Sequence, residues 1–302
     1  MSPRAFDRRD REGQAPSNAH SDSVAVTDDT VSGQHGPIPI RRYLPPAGVT
    51  PASDATIVWV HGGAFVKGDL ELPETHEVAM ALARKGFIVV ATTYRLATRF
   101  ALPPLPGRPA RGIRYPVPLD DVFAVVSQVQ AESPGGVILG GASAGACLSA
   151  ATVLRMARLG GEPLRGLFAA YGIFHAALPR QSAQLRGRRR GLRRYAHTPA
   201  TLRVMALNYA GSLAAVLEPE AFPGGHPLHG FPPSLLIDAD HDVMRASGEA
   251  FAGELVTAQV PVEYHIATGT DHAFLNRPKD PGFGRAIDLI ADWARRVPAT
   301  RT

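Results

Sequence analysis

The stretch Val137-Ile138-Leu139-Gly140-Gly141-Ala142-Ser143-Ala144-Gly145-Ala146-Cys147-Leu148 decides the fold. Its first three residues are an apolar run, as in a short buried strand. Two glycines end the run, and a helical pattern follows through Ala146, Leu148, Ala151, Val153, Leu154 and Met156. Between strand and helix lies Gly141-Ala142-Ser143-Ala144-Gly145, of the form G-x-S-x-G. A turn this tight brings the residues flanking the serine against neighbouring backbone, so glycine is wanted on both sides. The serine hydroxyl then stands at a helix N-terminus, where free N–H groups and the helix dipole favour negative charge. A Gly/Ala/Ser-rich helix start packed on a sheet has the same local pattern, so the motif needs partners elsewhere in the chain.

Outward from this turn, strands and helices alternate. Thr56–Val60 reads as an apolar strand running into His61-Gly62-Gly63-Ala64-Phe65, and Glu74–Lys85 as a helix stopped by Gly86. Phe87–Ala91 is the next buried strand, Leu119–Val129 an amphipathic helix, and Leu167–Tyr171 a further strand. The alternation resumes with Ser234–Asp238, Arg245–Ala258, Val262–Ile266 and a final helix over Phe283–Arg295. This order predicts right-handed crossovers and a mostly parallel α/β sheet with helices on both faces. Pro37–Leu44 reads as an edge strand, because prolines are tolerated there. Residues 1–36 are polar and lack a hydrophobic period, so a tail is expected, with packing against a cap as its alternative role. Residues 96–115, rich in Pro, Arg and Gly, predict a long surface loop. The segment of about 173–217 breaks the alternation and predicts a cap inserted over the carboxyl ends of the strands, where such sheets bind ligands.

Several function classes are disfavoured by composition. The 302-residue chain is 45% hydrophobic, carries a net charge of +5 and has one cysteine. One cysteine excludes an internal disulfide and a cysteine-based zinc cluster. No apolar run approaches the ~20 residues of a membrane span. The charged N-terminus, with Arg4, Asp7, Arg8, Arg9, Asp10, Arg11 and Glu12, lacks the apolar segment of a secretory signal, so a cytoplasmic location is expected. Arg186, Arg188, Arg189, Arg190, Arg193 and Arg194 form a basic run that could meet an acidic partner. Without interleaved aromatic residues, a solvated loop or helix face is the better reading, and no nucleic-acid partner is expected.

A serine hydroxyl is a weak nucleophile at neutral pH. It needs a general base within hydrogen-bond reach and a carboxylate to orient that base. Two later loops qualify, each following a strand. Ala239-Asp240-His241-Asp242-Val243-Met244-Arg245 offers carboxylates together with Asp238, and Gly269-Thr270-Asp271-His272-Ala273-Phe274 offers the base His272. The oxyanion formed on acyl attack needs N–H donors. Ala144, directly after the serine, supplies one, and Gly62 and Gly63, in the loop after an early strand, supply the others. His61 is expected to brace that loop, Cys147 and Tyr94 to pack, His241 to be an exposed loop residue, and His226 and His229 to lack a metal-ligand setting.

Together these segments resemble the hormone-sensitive-lipase-like esterases, the α/β-hydrolase fold-3 group. His61-Gly62-Gly63-Ala64-Phe65 resembles that family's H-G-G-G/A-F/W, Tyr94-Arg95-Leu96-Ala97 its Y-R-L-A, and Gly141–Gly145 its G-x-S-A-G. Asp242-Val243-Met244-Arg245 with Gly248 resembles D-P-L-R-D-E-G, and Gly269–Phe274 resembles G-x-x-H-x-F. The order serine, acid, histidine is that of α/β-hydrolases. The resemblance, over residues 37–296, implies an α/β-hydrolase fold, selects Asp242 over Asp238 and Asp240 as the acid, and makes Ser143, Asp242 and His272 the catalytic set. It further implies a serine carboxylesterase of short-to-medium acyl esters, with an amidase or formamidase using the same residues, or a non-catalytic receptor on the same scaffold, as alternatives. No cofactor or metal is expected, and the expected partner is a small-molecule ester, with a homodimer as the one protein assembly considered. The chain departs from the family pattern at Ala142, where Asp or Thr is usual, at Val243 in place of proline, and in a longer loop over 98–114.

Overall fold

The computed structural model describes residues 23–99, 111–188 and 198–298. Its described residues form one eight-stranded sheet: β1 (Ala25–Gly33), β2 (Gly36–Leu44), β3 (Thr56–Val60), β4 (Ile88–Thr92), β5 (Val137–Ala142), β6 (Gly166–Ala170), β7 (Ser234–Ala239) and β8 (Val262–Ala267). The spatial order is β1-β2-β4-β3-β5-β6-β7-β8. From β4 to β8 all pairs are parallel, whereas β1 and β2 form an antiparallel hairpin that joins β4.

The central strands are buried on both faces, and their residues alternate between two cores. Val58, Val60 and Leu139 face a cluster built with α2 (Val117–Glu132), α3 (Ala144–Arg158) and α7 (Arg245–Thr257). Ile57, Trp59 and Ile138 face the opposite cluster, built with α1 (Pro73–Arg84) and α8 (Pro281–Arg296). Trp59 stacks on Phe168 at 5.4 Å, and Phe168 meets Trp293 of α8 edge to face. The expected mostly parallel sheet with helices on both faces is what is found.

Two expectations need correction at the N-terminal side. The Pro37–Leu44 stretch is β2, the second strand, and the true edge is β1, which lies within residues assigned to a polar tail. Of β1, only Val31 is buried; most of its other residues are exposed, so neither face carries an apolar alternation to read. Pairing holds it in place, helped by Arg41, which donates to Asp28 and Glu71. Residues 1–22 of the assigned tail lie outside the described residues.

Between β6 and β7 run α4 (Ala183–Arg188), α5 (Pro199–Ala210) and α6 (Leu213–Val216). Thr198 caps α5 by accepting the Thr201 N–H, and Gly211 closes it in the left-handed region. Of the arginine run, Arg189, Arg190, Arg193 and Arg194 lie outside the described residues, as do residues 100–110 of the long loop.

Candidate active site

Ser143 occupies the step from β5 to α3 with φ +51°, a strained value for a residue with a side chain. Surrounding packing imposes it. A Cβ on Gly141 would lie 2.4 Å from the Gly145 carbonyl oxygen, and one on Gly145 would lie 2.2 Å from that of Val60. Both positions therefore admit only glycine while β3, β5 and α3 keep their spacing. The Ser143 N–H donates to Ala170 O at 2.9 Å, tying the turn to the end of β6. Ala142, fully buried, packs in the core with no polar atom on its side chain.

The acid and base loops follow β7 and β8, two strands further along the sheet. His272 Nε2 lies 3.1 Å from Ser143 Oγ, and His272 Nδ1 lies 2.6 Å from Asp242 Oδ2. The other Asp242 oxygen accepts the Met244 N–H at 3.0 Å, which orients the carboxylate. Burial alone would push the His272 imidazole down, but the charge of Asp242 and its hydrogen bond, with a further contribution from Glu74, raise it above the ordinary histidine value.

The three carboxylates of the acid loop have three different places. Only Asp242 meets His272. Asp240 accepts the Gly269 N–H at 3.1 Å and pairs with Arg188 and Arg245, so it ties the two loops and α4 together. Asp238 is fully buried beside Asp242, and burial together with that neighbouring charge pushes its carboxyl well up. Val243 is buried at the position where the family pattern has proline, and Asp242 still reaches the histidine. His241, partly exposed, lies near both Asp240 and Asp271.

The loop after β3 differs from expectation at one residue. The Gly62 N–H does not face the serine; it donates to Glu74 Oε1 at 2.7 Å. Gly63 and Ala64, with Lys67, Gly68 and Leu72 further along the same loop, line the cavity with Ser143 and His272. Gly63, Ala64 and Phe65 all have positive φ, at +115°, +54° and +64°. Phe65 stabilises this strained run by stacking on Tyr209 of α5 at 3.9 Å. Beneath the loop, His61 Nδ1–H donates to Gly62 O at 2.7 Å, and the Tyr94 hydroxyl donates to His61 O at 3.2 Å. His61 is thus a brace, held neutral by burial. Cys147 is buried, with its thiol donating to Ala221 O and burial pushing its pKa far up.

Ser143, His272 and the loop after β3 open on a cavity of about 400 Å³. Met244 and, from α5, Thr201, Leu202 and Met205 form its other walls, so its lining is chiefly apolar. Glu74 and Asn276 also line it, and sequence reasoning passed over both: a glutamate at the second position of a helix reads as an ordinary first-turn acid. Among the described residues, no helix is long and apolar enough to cross a membrane.

A family model described as alpha/beta hydrolase fold matches residues 57–276. Esterase LipI of Mycobacterium tuberculosis is 29% identical over 83% of this chain and 75% of its own length. Ethyl acetate hydrolase of Pseudomonas putida is 26% identical over 79% of this chain and 71% of its own. Among solved structures, the Pyrobaculum calidifontis esterase superposes with a TM-score of 0.74 at 26% identity, covering 90% of this chain and 85% of that one. Brefeldin A esterase, a bacterial homologue of human hormone-sensitive lipase, superposes with a TM-score of 0.75 over 94% of this chain and 80% of that one, at 21% identity, a likeness of fold. The motif resemblance is therefore matched by overall similarity, and the chain belongs to the α/β-hydrolase family.

Proposed function

We propose that the chain is a serine carboxylic ester hydrolase acting through an acyl-enzyme. The observation that carries this reading is the continuous chain of hydrogen bonds from Ser143 through His272 to Asp242, opening on an apolar cavity. With Nδ1–H donated to Asp242, Nε2 of His272 is the acceptor, the tautomer a general base needs. Ser143 Oγ attacks the ester carbonyl as its proton passes to Nε2. Asp242 stabilises the imidazolium that forms. His272 then returns the proton to the leaving alcohol, and a second cycle with water as nucleophile frees the acid.

The oxyanion is met by backbone N–H groups. Because Gly62 is committed to Glu74, the donors in this reading are Gly63, Ala64 and Ala144, the last at the N-terminus of α3. Each preorganised donor is worth ~2.7–4 kcal/mol in the transition state. The segment over about 173–217 acts as the cap, with α5 forming the outer wall. A cavity of about 400 Å³ walled by Leu202, Met205 and Met244 suits short-to-medium acyl chains.

The test is a series of p-nitrophenyl esters of increasing acyl length, run beside Ser143→Ala. Turnover that peaks at short or medium chains and vanishes in the variant supports the proposal. Equal turnover by the two proteins refutes it.

A further inference from the structure

Glu74 is the second residue of α1, yet it is buried at the floor of the cavity, 1% exposed. An isolated carboxyl is costly to bury and is retained only where donors compensate it. Glu74 has three. Its Oε1 accepts the Gly62 N–H at 2.7 Å, and its Oε2 accepts the Tyr171 hydroxyl at 2.5 Å and the Asn276 side-chain N–H at 3.1 Å. Its backbone is also held: the Glu74 N–H donates to Asn276 Oδ1 at 3.2 Å, and Glu74 O accepts the Trp59 indole N–H at 2.7 Å.

These partners come from the segments that carry the proposed chemistry. Gly62 directly precedes the cavity-lining residues Gly63 and Ala64. Tyr171 follows β6, and its ring stands edge to face on the His272 ring at 5.1 Å. Asn276 lies four residues beyond His272, in the short helix Phe274–Asn276. The Cβ of a substituted Gly62 would meet Glu74 Oε1 at 2.7 Å and Ser143 Cβ at 3.1 Å, so the carboxylate and the serine flank the same glycine.

We infer that Glu74 is a positioning residue for ester hydrolysis, its buried carboxyl clamping the oxyanion loop at Gly62 to the base loop at Asn276 and, through Tyr171, to the face of His272. The clamp joins two groups that must be placed within a few tenths of an ångström of one substrate yet sit on loops after different strands, β3 and β8. The inference rests on the serine hydrolase reading above. Its consequence is specific: loss of the clamp loosens donors that act on the transition state, so kcat falls while KM changes little.

The test compares wild type with Glu74→Ala, Glu74→Gln and Asn276→Ala, measuring kcat and KM on a p-nitrophenyl ester and the rate at which a fluorophosphonate labels Ser143. Glu74→Ala should lower kcat and the labelling rate together by about tenfold or more, with KM within about threefold. Glu74→Gln retains an acceptor for the Gly62 N–H but turns an NH2 toward Asn276, so it should fall between wild type and alanine. Asn276→Ala should show a smaller loss of the same kind. A folded Glu74→Ala with kcat within about twofold of wild type, or a loss confined to KM, overturns the inference. If Glu74→Ala does not fold, Glu74→Gln and Asn276→Ala decide, and wild-type kcat in both overturns it. A wild-type protein that the fluorophosphonate does not label at Ser143 would instead refute the hydrolase reading, so the two failures are told apart.

Discussion

Two serine–histidine–carboxylate chains lie among the described residues, each joined by two hydrogen bonds of 2.6–3.1 Å. One is Ser143–His272–Asp242, at 3.1 and 2.6 Å. The other is Ser247–His175–Glu254, at 2.9 and 3.0 Å, joining the segment after β6 to α7. Residue types and distances do not separate them; the state of the hydroxyl does. Ser143 sits on a strained turn facing a cavity, and its Oγ is left to the histidine. Ser247 is fully buried in the first turn of α7, and its Oγ accepts the N–H groups of Phe174 at 2.8 Å and His175 at 3.3 Å. Those bonds occupy the lone pairs a nucleophile would use, and no substrate can reach them. The second chain is a clasp that fixes the start of the inserted segment. A nucleophile needs, besides its base, a free lone pair and a space for the reacting atom.

Removing each serine gives the widest separation. Ser143→Ala is expected to lower kcat by at least about four orders of magnitude and leave the fold intact. Ser247→Ala is expected to keep ester hydrolysis within about threefold of wild type and to lose about 1–3 kcal/mol of stability, because two buried N–H groups are left without an acceptor. Steady-state kinetics with denaturant unfolding on both variants measures the pair. A large kinetic loss in Ser247→Ala would erase the distinction.

The acids are compared next. Asp242→Asn should cost about 10³–10⁴ in kcat by presenting the wrong partner to His272 Nδ1. Asp240→Asn should cost far less, since Asp240 ties Gly269, Arg188 and Arg245 and does not touch the base. A larger loss in Asp240→Asn than in Asp242→Asn would refute Asp242 as the acid and transfer the role to Asp240.

How far the sequence discloses this site follows from where its information is local. The elbow is local, since Gly141 and Gly145 are dictated by backbone five residues or fewer away together with the neighbouring strand β3. The acid and base are legible because each closes a strand, and chain order places both loops at one end of a parallel sheet. Glu74 and the commitment of Gly62 are not legible. They stand 12 residues apart, and the contacts with Tyr171 and Asn276 span 97 and 202 residues. No periodicity records such a meeting. Strand β1 was missed for a different reason, its side chains facing water on an edge that only backbone pairing defines. Ser247–His175–Glu254 shows the converse hazard, in which the residue types of a catalytic chain come together for structural ends.

The pH dependence sharpens the comparison from the side of the base. His272 acts only when neutral, and its pKa lies above the ordinary 6.5, burial being outweighed by Asp242 and Glu74. In wild type, kcat/KM should therefore fall as pH drops through a midpoint above that value. Asp242→Asn removes the charge that favours the imidazolium, so the midpoint of its residual activity should move to lower pH. A pH profile of kcat/KM from pH 5 to 9 on both proteins reads the two midpoints, and an upward move in the variant would contradict the assigned role.

The smallest expected effect belongs to the clasp. Burial would raise the Glu254 carboxyl, but hydrogen bonds from His175 and the Gly225 N–H, with the nearby charges of His175 and His226, bring it below its ordinary value. A carboxyl with a depressed native pKa stabilises the fold above its unfolded value, and that contribution is lost as pH falls through the native one. Glu254→Gln should therefore lower Tm at neutral pH by only about 2–4 °C, as expected for about 1 kcal/mol in a domain somewhat smaller than this chain, with no change in kcat. The difference should shrink as pH falls through the ordinary glutamate value and on through the lower native one, where the wild-type carboxyl takes up its proton and the two side chains become alike. Thermal unfolding of both proteins between pH 3.5 and 7.5 measures it. A gap that widens toward acid would mean that the Glu254 charge destabilises the clasp, and the two chains would then differ in electrostatics as well as in access.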